Sequence, residues 1–108
     1  MADIRFKLDA HQLRLVAQVI DLFLRDDPRG EAQWMLHSVA ETLAVRLGKR
    51  LAERRLEHSF ILPVHQALTL RRLVLGGIEF HPEGQSRNEL RLVAAQLDQA
   101  ASRYIHIH

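Results

Sequence analysis

The side chains most suited to chemistry in this chain are its histidines. The 108-residue sequence contains seven histidines and no cysteine, so a transition-metal site would need imidazole and carboxylate ligands. His106 and His108 share one face of an extended segment, but no third ligand is close to them in sequence. His11 and His65 are predicted as polar residues in first helical turns, and His37 as a residue on the solvent side of a helix. We therefore predict no metal site.

Sequence motifs of enzymes are missing as well. The chain has no nucleophile elbow, no glycine-rich phosphate loop and no His-Glu-x-x-His pattern. Gly76-Gly77 is predicted to end a helix and not to hold a phosphate. The lack of cysteine excludes thiol catalysis. We predict a protein that is not an enzyme, with no catalytic residues and no cofactor.

A run of basic side chains is the strongest candidate site. Its members are Arg46, Lys49, Arg50, Arg54 and Arg55, with Glu53 and Glu57 among them. The whole chain has 15 basic and 13 acidic side chains and a net charge of +2, which does not require a nucleic-acid partner. The run is interpreted first as a solvated helix face. The functional alternatives are contact with a nucleic-acid backbone or with an acidic protein surface.

Composition predicts one small domain spanning residues 1–108. Apolar residues make up 47% of the chain, enough for a core without disulfides or metal. No apolar run approaches the ~20 residues of a membrane helix. The opening Met1-Ala2-Asp3-Ile4-Arg5 lacks the order of a signal peptide. We expect a cytoplasmic protein without a membrane partner.

Two stretches of the chain resemble each other at an offset of 54 residues, measured from Phe6 to Phe60. The matching residues are Phe6, Leu8, His11 and Gln12 with Phe60, Leu62, His65 and Gln66. Each stretch has the pattern of a short strand followed by a helix. The sequence therefore indicates two related halves, residues 1–54 and 55–108.

The first half is predicted to contain one strand and two helices. Ile4–Leu8 alternates apolar and charged residues, as in a half-buried strand. Asp9 and Gln12 predict a capping box at the start of a helix over Ala10–Leu24. A second helix is predicted from Pro28 or Glu31 to Leu56. At this length it either projects from the domain, pairs with another subunit or breaks near Gly48. Trp34 and Met35 are predicted to lie in the core.

The second half repeats this order. Ser59–Leu62 is the second strand, and Val64–Leu75 is an apolar helix that is either central in the fold or part of an interface. His81–Gly84 is a predicted turn. Ser86-Arg87-Asn88-Glu89 predicts a capping box that opens the last helix. Ile105–His108 is predicted as a frayed or strand-like tail.

A lone strand leaves its backbone groups unpaired, so the two strands are expected to pair with each other, antiparallel about a pseudo-twofold axis. Phe6, Leu8, Phe60 and Leu62 then share one buried face. The predicted fold is a mostly helical α+β domain in the order β-α-α-β-α-α, with an internal repeat and a two-stranded antiparallel ribbon.

This plan resembles the ribbon-helix-helix family of DNA-binding regulators, here in a single chain. Ile4-Arg5-Phe6-Lys7-Leu8-Asp9 is similar to that family's strand running into a capped helix, and Gly84–Leu90 is similar to the start of its second helix. The resemblance implies that Arg5 and Lys7 read bases in the major groove. It also implies that Ser86, Arg87 and Asn88 hold the DNA backbone.

The sequence departs from the family in three places. The second strand presents Ser59 and Ile61 outward where the family has basic residues, the second helix is about twice as long, and the loop from Gly76 to Gln85 is longer than a tight turn. We therefore favour a small, non-enzymatic interaction or assembly module of bacterial type. We expect it to self-associate and to contact partners through its long helix and third helix. The alternative is a DNA-binding regulator of the ribbon-helix-helix kind.

Overall fold

The computed structural model describes residues 3–80 and 84–105. The order of elements is β1 (Asp3–Asp9), α1 (Ala10–Arg25), α2 (Gly30–Leu51), β2 (Glu57–Pro63), α3 (Val64–Phe80), α4 (Gln85–Ala100) and a short α5 (Ser102–Ile105). The two strands form one antiparallel sheet and the rest is mostly helical. The predicted α+β class is confirmed. None of the helices over these residues is long and apolar enough to cross a membrane.

The ribbon of β1 and β2 has one buried face and one exposed face. Phe6 lies directly opposite Phe60, and their rings stack with centroids 5.3 Å apart. Leu8 and Leu62 are buried on the same face. Both strands alternate between buried and exposed residues, as the period of two along the sequence requires. The predicted pairing and the predicted shared core face are confirmed.

The turn from β1 into α1 follows the predicted capping chemistry. The Asp9 carboxylate accepts a hydrogen bond from the Gln12 backbone N–H at 2.7 Å, and the Gln12 side-chain oxygen accepts one from the Asp9 N–H at 3.1 Å. Two of the N–H groups at the helix start are therefore satisfied locally. This capping box is confirmed.

Two helical hairpins cover the buried face of the ribbon. α1 packs against α2, α3 packs against α4, and each hairpin also contacts the other. Their inward residues and those of the ribbon form one continuous hydrophobic core. α3 contributes Ala67, Leu70, Leu73 and Val74 to this core, in agreement with the central position that its apolar sequence allowed.

The inward faces of α2 and α4 carry the same residue types at the same offset as Phe6 and Phe60. Leu36, Val39, Ala40 and Leu43 correspond to Leu90, Val93, Ala94 and Leu97. All of these side chains are buried or partly buried. The similarity between the halves therefore extends beyond the strand-to-helix stretch and into the residues that build the core.

The prediction that Gly76-Gly77 ends the third helix is wrong. α3 continues through both glycines to Phe80. A Cβ atom at Gly77 would lie 2.7 and 2.8 Å from the two methyl carbons of Val19, whereas one at Gly76 would meet nothing within 4 Å. Gly77 allows α1 and α3 to pack closely at this point.

α2 is also shorter than predicted. It ends at Leu51 instead of Leu56 and does not break at Gly48. Its 22 residues span about 33 Å at ~1.5 Å per residue, close to the longest dimension of 36 Å. Leu56 is highly exposed in the link to β2.

The start of α4 differs from the predicted capping box. Gly84, with φ of 144°, precedes the helix, and Ser86 lies inside its first turn without a capping hydrogen bond from its side chain. The Glu89 carboxylate instead accepts hydrogen bonds from the side-chain amides of Gln85 and Gln12, each at 2.9 Å. Glu89 thus joins α4 to α1. The rest of the predicted turn, residues 81–83, and the tail residues 106–108 with His106 and His108 lie outside the described residues.

The rotation of α2 about its axis was also predicted incorrectly. Trp34 and Met35 were expected in the core but are 63% and 66% exposed. His37 was expected in solvent but is buried, with its ring centroid 4.6 Å from that of Phe23. Ala40, Leu43 and Leu47 continue this inward face. Tryptophan is more apolar than histidine, so residue type alone predicts that Trp34 faces the core and His37 faces solvent.

The two adjacent glycines of α3 provide a matched test of this packing. We expect Gly77→Ala to lower the free energy of unfolding by about 1–2 kcal/mol, because the added methyl overlaps Val19 in a closed core. Gly76→Ala should raise it by about 0.5–1 kcal/mol, because alanine favours the helix and nothing obstructs it. Urea denaturation followed by circular dichroism measures both values. Equal effects from the two substitutions would contradict the close contact of α1 with α3.

Candidate functional site

The exposed face of the ribbon carries mixed charge. Arg5 and Lys7 both point outward from β1, as predicted, and Ser59 and Ile61 do so from β2. The Lys7 ammonium lies 3.7 Å from the Glu57 carboxylate on the neighbouring strand. The acidic side chains of β1 itself, Asp3 and Asp9, are exposed at its two ends. The two basic residues are therefore interleaved with carboxylates on the surface that would face DNA.

The outer edge of β1 is capped by a side chain of α4. The Gln96 side-chain oxygen accepts a hydrogen bond from the Lys7 backbone N–H at 2.7 Å, and its amide donates one to the Lys7 carbonyl at 2.6 Å. A glutamine amide thus imitates one residue of a third strand. These bonds also show that the backbone groups of Lys7 point away from β2.

The outer edge of β2 follows from the same pairing. In an antiparallel pair, residues alternate between bonding across the strands and pointing outward, and Lys7 is opposite Ser59 and Arg5 is opposite Ile61. Ser59 and Ile61 therefore direct their N–H and C=O groups to the outer edge of β2. The Ala10 N–H bonds across to the Leu56 carbonyl at 3.0 Å, in agreement with this alternation. Within the described residues no side chain caps Ser59 or Ile61.

The difference between the edges arises because α4 contacts β1, whereas α2 makes no comparable contact with β2. The residue of α2 that corresponds to Gln96 at the repeat offset is Thr42 (96 − 54 = 42). Its short side chain bonds to the Ser38 carbonyl of its own helix at 3.4 Å. A groove of about 300 Å³ is left between the C-terminal half of α2 and the edge of β2.

Three basic side chains of α2 line one wall of this groove; its lining residues are Arg46, Lys49, Arg50, Glu53, Phe60, Ile61 and Leu62. The Arg46 guanidinium hydrogen-bonds to the Gln66 side chain at 3.1 Å, and that of Arg50 lies over the Phe60 ring at 5.2 Å from its centroid. Glu53 is paired with Arg55 at 3.5 Å. The groove therefore presents a local excess of positive charge beside an open strand edge.

The remaining predicted site residues lie elsewhere. Arg54 and Arg55 follow the end of α2 and are exposed in the link to β2. Ser86, Arg87 and Asn88 occupy the first turn of α4, where the Asn88 N–H bonds to the Gly84 carbonyl at 3.1 Å. The carboxylate of Glu89 lies in the same turn of α4. The structure does not bring these residues, or Arg5 and Lys7, into the groove.

A second depression lies beside the turn between α1 and α2. It has a volume of about 490 Å³ and is lined by Asp26, Asp27, Arg29 and Gln33. The Gln33 side chain accepts a hydrogen bond from the Arg29 backbone N–H at 2.6 Å and thereby helps to begin α2. These residues belong to the turn between α1 and α2 and to the start of α2. Across the described parts of the chain, no three His, Asp or Glu side chains are grouped so that they could hold a metal ion.

Sequence reasoning identified the basic walls of the groove but missed the strand edge and Gln96. A comparison of Gln96 with Thr42 at the repeat offset would have indicated that only one of the two helices can reach its strand. The difference between Gln96 and Thr42 is visible in the sequence. Its consequence for the strand edges can be inferred only when the position of each helix beside its strand is known.

Comparisons with known proteins give no match: no family model matches the chain, and no curated protein and no solved structure matches it significantly.

Removing the Gln96 side chain tests the cap on β1. We expect Gln96→Ala to lower the free energy of unfolding by about 1–2 kcal/mol, because two hydrogen bonds are lost. The Lys7 amide should also exchange its proton faster. Gln99→Ala, an exposed position on the same helix, should change stability by less than about 0.5 kcal/mol. Unchanged exchange at Lys7 would contradict the cap.

Proposed function

We propose that the protein is a non-enzymatic interaction module of bacterial type that self-associates through the outer face of α2. The observation that carries this proposal is the exposure of Trp34, the only tryptophan of the chain, in the second turn of α2. Tryptophan is the residue most enriched in the energetic centres of protein interfaces. An unpaired, 63% exposed tryptophan on a helix is best explained by a partner surface.

The face around Trp34 has the spacing of a helix-pairing surface. Trp34, Ser38, Glu41, Val45 and Gly48 recur at intervals of four and three residues, on the side of α2 that faces away from the core. Val45 is 59% exposed, and space is open at Gly48. Intervals of three and four residues keep one face of a helix toward a partner helix, and small residues allow close approach.

Charge favours a second copy of α2 as the occupant. Along α2 the acidic residues, Glu31 and Glu41, precede the basic residues, Arg46, Lys49 and Arg50. Two such helices in antiparallel orientation bring the acidic residues of each toward the basic end of the other. The order of charges along α2 therefore favours pairing about a twofold axis. We propose a homo-oligomer that acts in the cytoplasm.

The fluorescence of Trp34 can be used to measure this association. We expect its fluorescence emission to shift to shorter wavelengths as protein concentration rises, because the indole leaves water. Trp34→Ala should weaken association by at least about tenfold, the usual minimum for a central interface tryptophan. Sedimentation equilibrium measures the mass. As a control, Leu92→Ala removes another exposed apolar side chain, on α4, and should leave association unchanged. A monomer with unchanged emission at high micromolar concentration would refute the proposal.

A DNA-binding regulator of the ribbon-helix-helix kind is the second candidate. It is supported by the antiparallel ribbon, the two helical hairpins and the matching residues at the repeat offset, which are also what an internal duplication would produce. The pairing of Lys7 with Glu57 weakens base reading by the ribbon. DNA contact would then depend mainly on phosphate neutralisation by the basic residues near the end of α2.

A titration of labelled duplex DNA at several salt concentrations tests this candidate. If these arginines contact phosphates, the affinity should fall with salt at a log–log slope of roughly −0.9 per contact, and replacing Arg50, Arg54 and Arg55 together by alanine should flatten that slope. Replacing the exposed Arg14, Arg72 and Arg103 removes the same charge elsewhere and should not flatten it. If the ribbon reads bases, replacing Arg5 and Lys7 should reduce sequence preference. No binding at low salt with tens of micromolar protein would exclude both routes.

A further inference from the structure

We infer that the groove between α2 and β2 binds an acidic polypeptide segment in extended conformation, as a third strand of the ribbon. The starting observation is the difference between the two edges of the sheet. At β1 the outward groups of Lys7 are occupied by Gln96. At β2 the outward N–H and C=O groups of Ser59 and Ile61 have no partner among the described residues. Strand addition to an open edge is an established mode of peptide recognition.

The position of the groove agrees with strand addition. An added strand lies about 4.8 Å from β2 in the plane of the sheet. That space adjoins Phe60, Ile61 and Leu62 on one side and the C-terminal half of α2 on the other. The added segment would place alternate side chains above and below the sheet. Those on the outer face would lie beside the exposed side chain of Ile61, and those on the other face beside α2.

The charges of the groove select an acidic partner. Arg46, Lys49 and Arg50 line it, and its one acid, Glu53, is already paired with Arg55. Carboxylates on every second residue of an added strand would all face α2, where these cations can pair with them. Charge-assisted hydrogen bonds of this kind are stronger than neutral ones.

A second copy of this chain is a poor occupant of the same edge. Pairing β2 with β2 of another copy about a twofold axis brings the two basic grooves together. Arg46, Lys49 and Arg50 of one copy would then face the same residues of the other, and close like charges oppose association. The groove also lies on the flank of α2 that faces β2, whereas Trp34 and Val45 lie on its outer face.

The probe is a fluorescein-labelled heptapeptide of alternating glutamate and valine, measured by fluorescence anisotropy on the full chain. We expect saturable binding that weakens by about tenfold or more with Ile61→Pro, because one backbone donor is lost and the proline ring occupies the edge. The Ile61 N–H does not bond to β1, so the ribbon keeps its own pairing. Ile61→Val is the matched control, because it keeps the backbone donor, the charge and an apolar β-branched side chain at the same position. Circular dichroism checks that both variants are folded.

Two further peptides separate backbone pairing from charge. The same peptide with N-methyl groups on alternate residues cannot donate to β2 and should lose binding, and a lysine-valine peptide should not bind. Lys49→Glu should weaken binding of the acidic peptide by about tenfold through repulsion. In nuclear magnetic resonance spectra, the amides of Ser59 and Ile61 should become protected from exchange when the peptide is added.

Four results would overturn the inference. One is binding that is insensitive to both N-methylation and Ile61→Pro, since this shows adsorption by charge alone. Another is protection of Ser59 and Ile61 in the free protein that rises with its concentration, since this shows a second copy on the edge. The third is tight binding of duplex DNA to the groove, lost with Lys49→Glu, without binding of the peptide. Complete absence of peptide binding is the fourth. None of them depends on association through Trp34, which is measured separately.

Discussion

The pairing of β1 with β2 is the contact on which the rest of the fold depends. Each half of the chain contains one strand, and a single strand leaves half of its backbone groups without partners. The stacked rings of Phe6 and Phe60 close a long loop and bring the two helical hairpins onto the same face of the sheet. Closing such a loop costs conformational entropy, and the core that both hairpins then share offsets it.

The two halves follow one plan but differ at positions that matter. His58 corresponds to Ile4 and is buried opposite Leu8, where its Nδ1 atom has no hydrogen-bond partner among the described residues. Gly77 corresponds to Phe23: the glycine admits Val19, whereas the phenylalanine packs on His37. These differences change the packing of the core, whereas the difference between Gln96 and Thr42 leaves the edge of β2 uncapped.

Features that depend on neighbours in sequence were predictable. The alternation of Ile4, Phe6 and Leu8 identifies a strand, and Asp9 with Gln12 identifies a helix start, because both depend on local geometry. The end of α3 and the orientation of α2 were not predictable. Gly77 looks like a helix stop until Val19 is seen against it, and Trp34 looks like a core residue until His37 is seen facing Phe23. In both places a contact distant in sequence overrides the local preference.

The candidate site also combines features that the sequence predicts with features that depend on distant contacts. The basic residues of the groove were visible as a run, but the open edge beside them depends on how far a side chain of one helix reaches. Unprotected strand edges favour unwanted pairing between chains, and proteins cover them or place charges beside them. β1 is capped at Lys7 by Gln96, which is long enough to satisfy both backbone groups of that residue. β2 is flanked by Arg46, Lys49 and Arg50 instead. Charge opposes pairing between identical copies yet leaves the edge accessible to an oppositely charged strand. This form of protection is therefore selective, whereas the glutamine cap blocks any strand at Lys7.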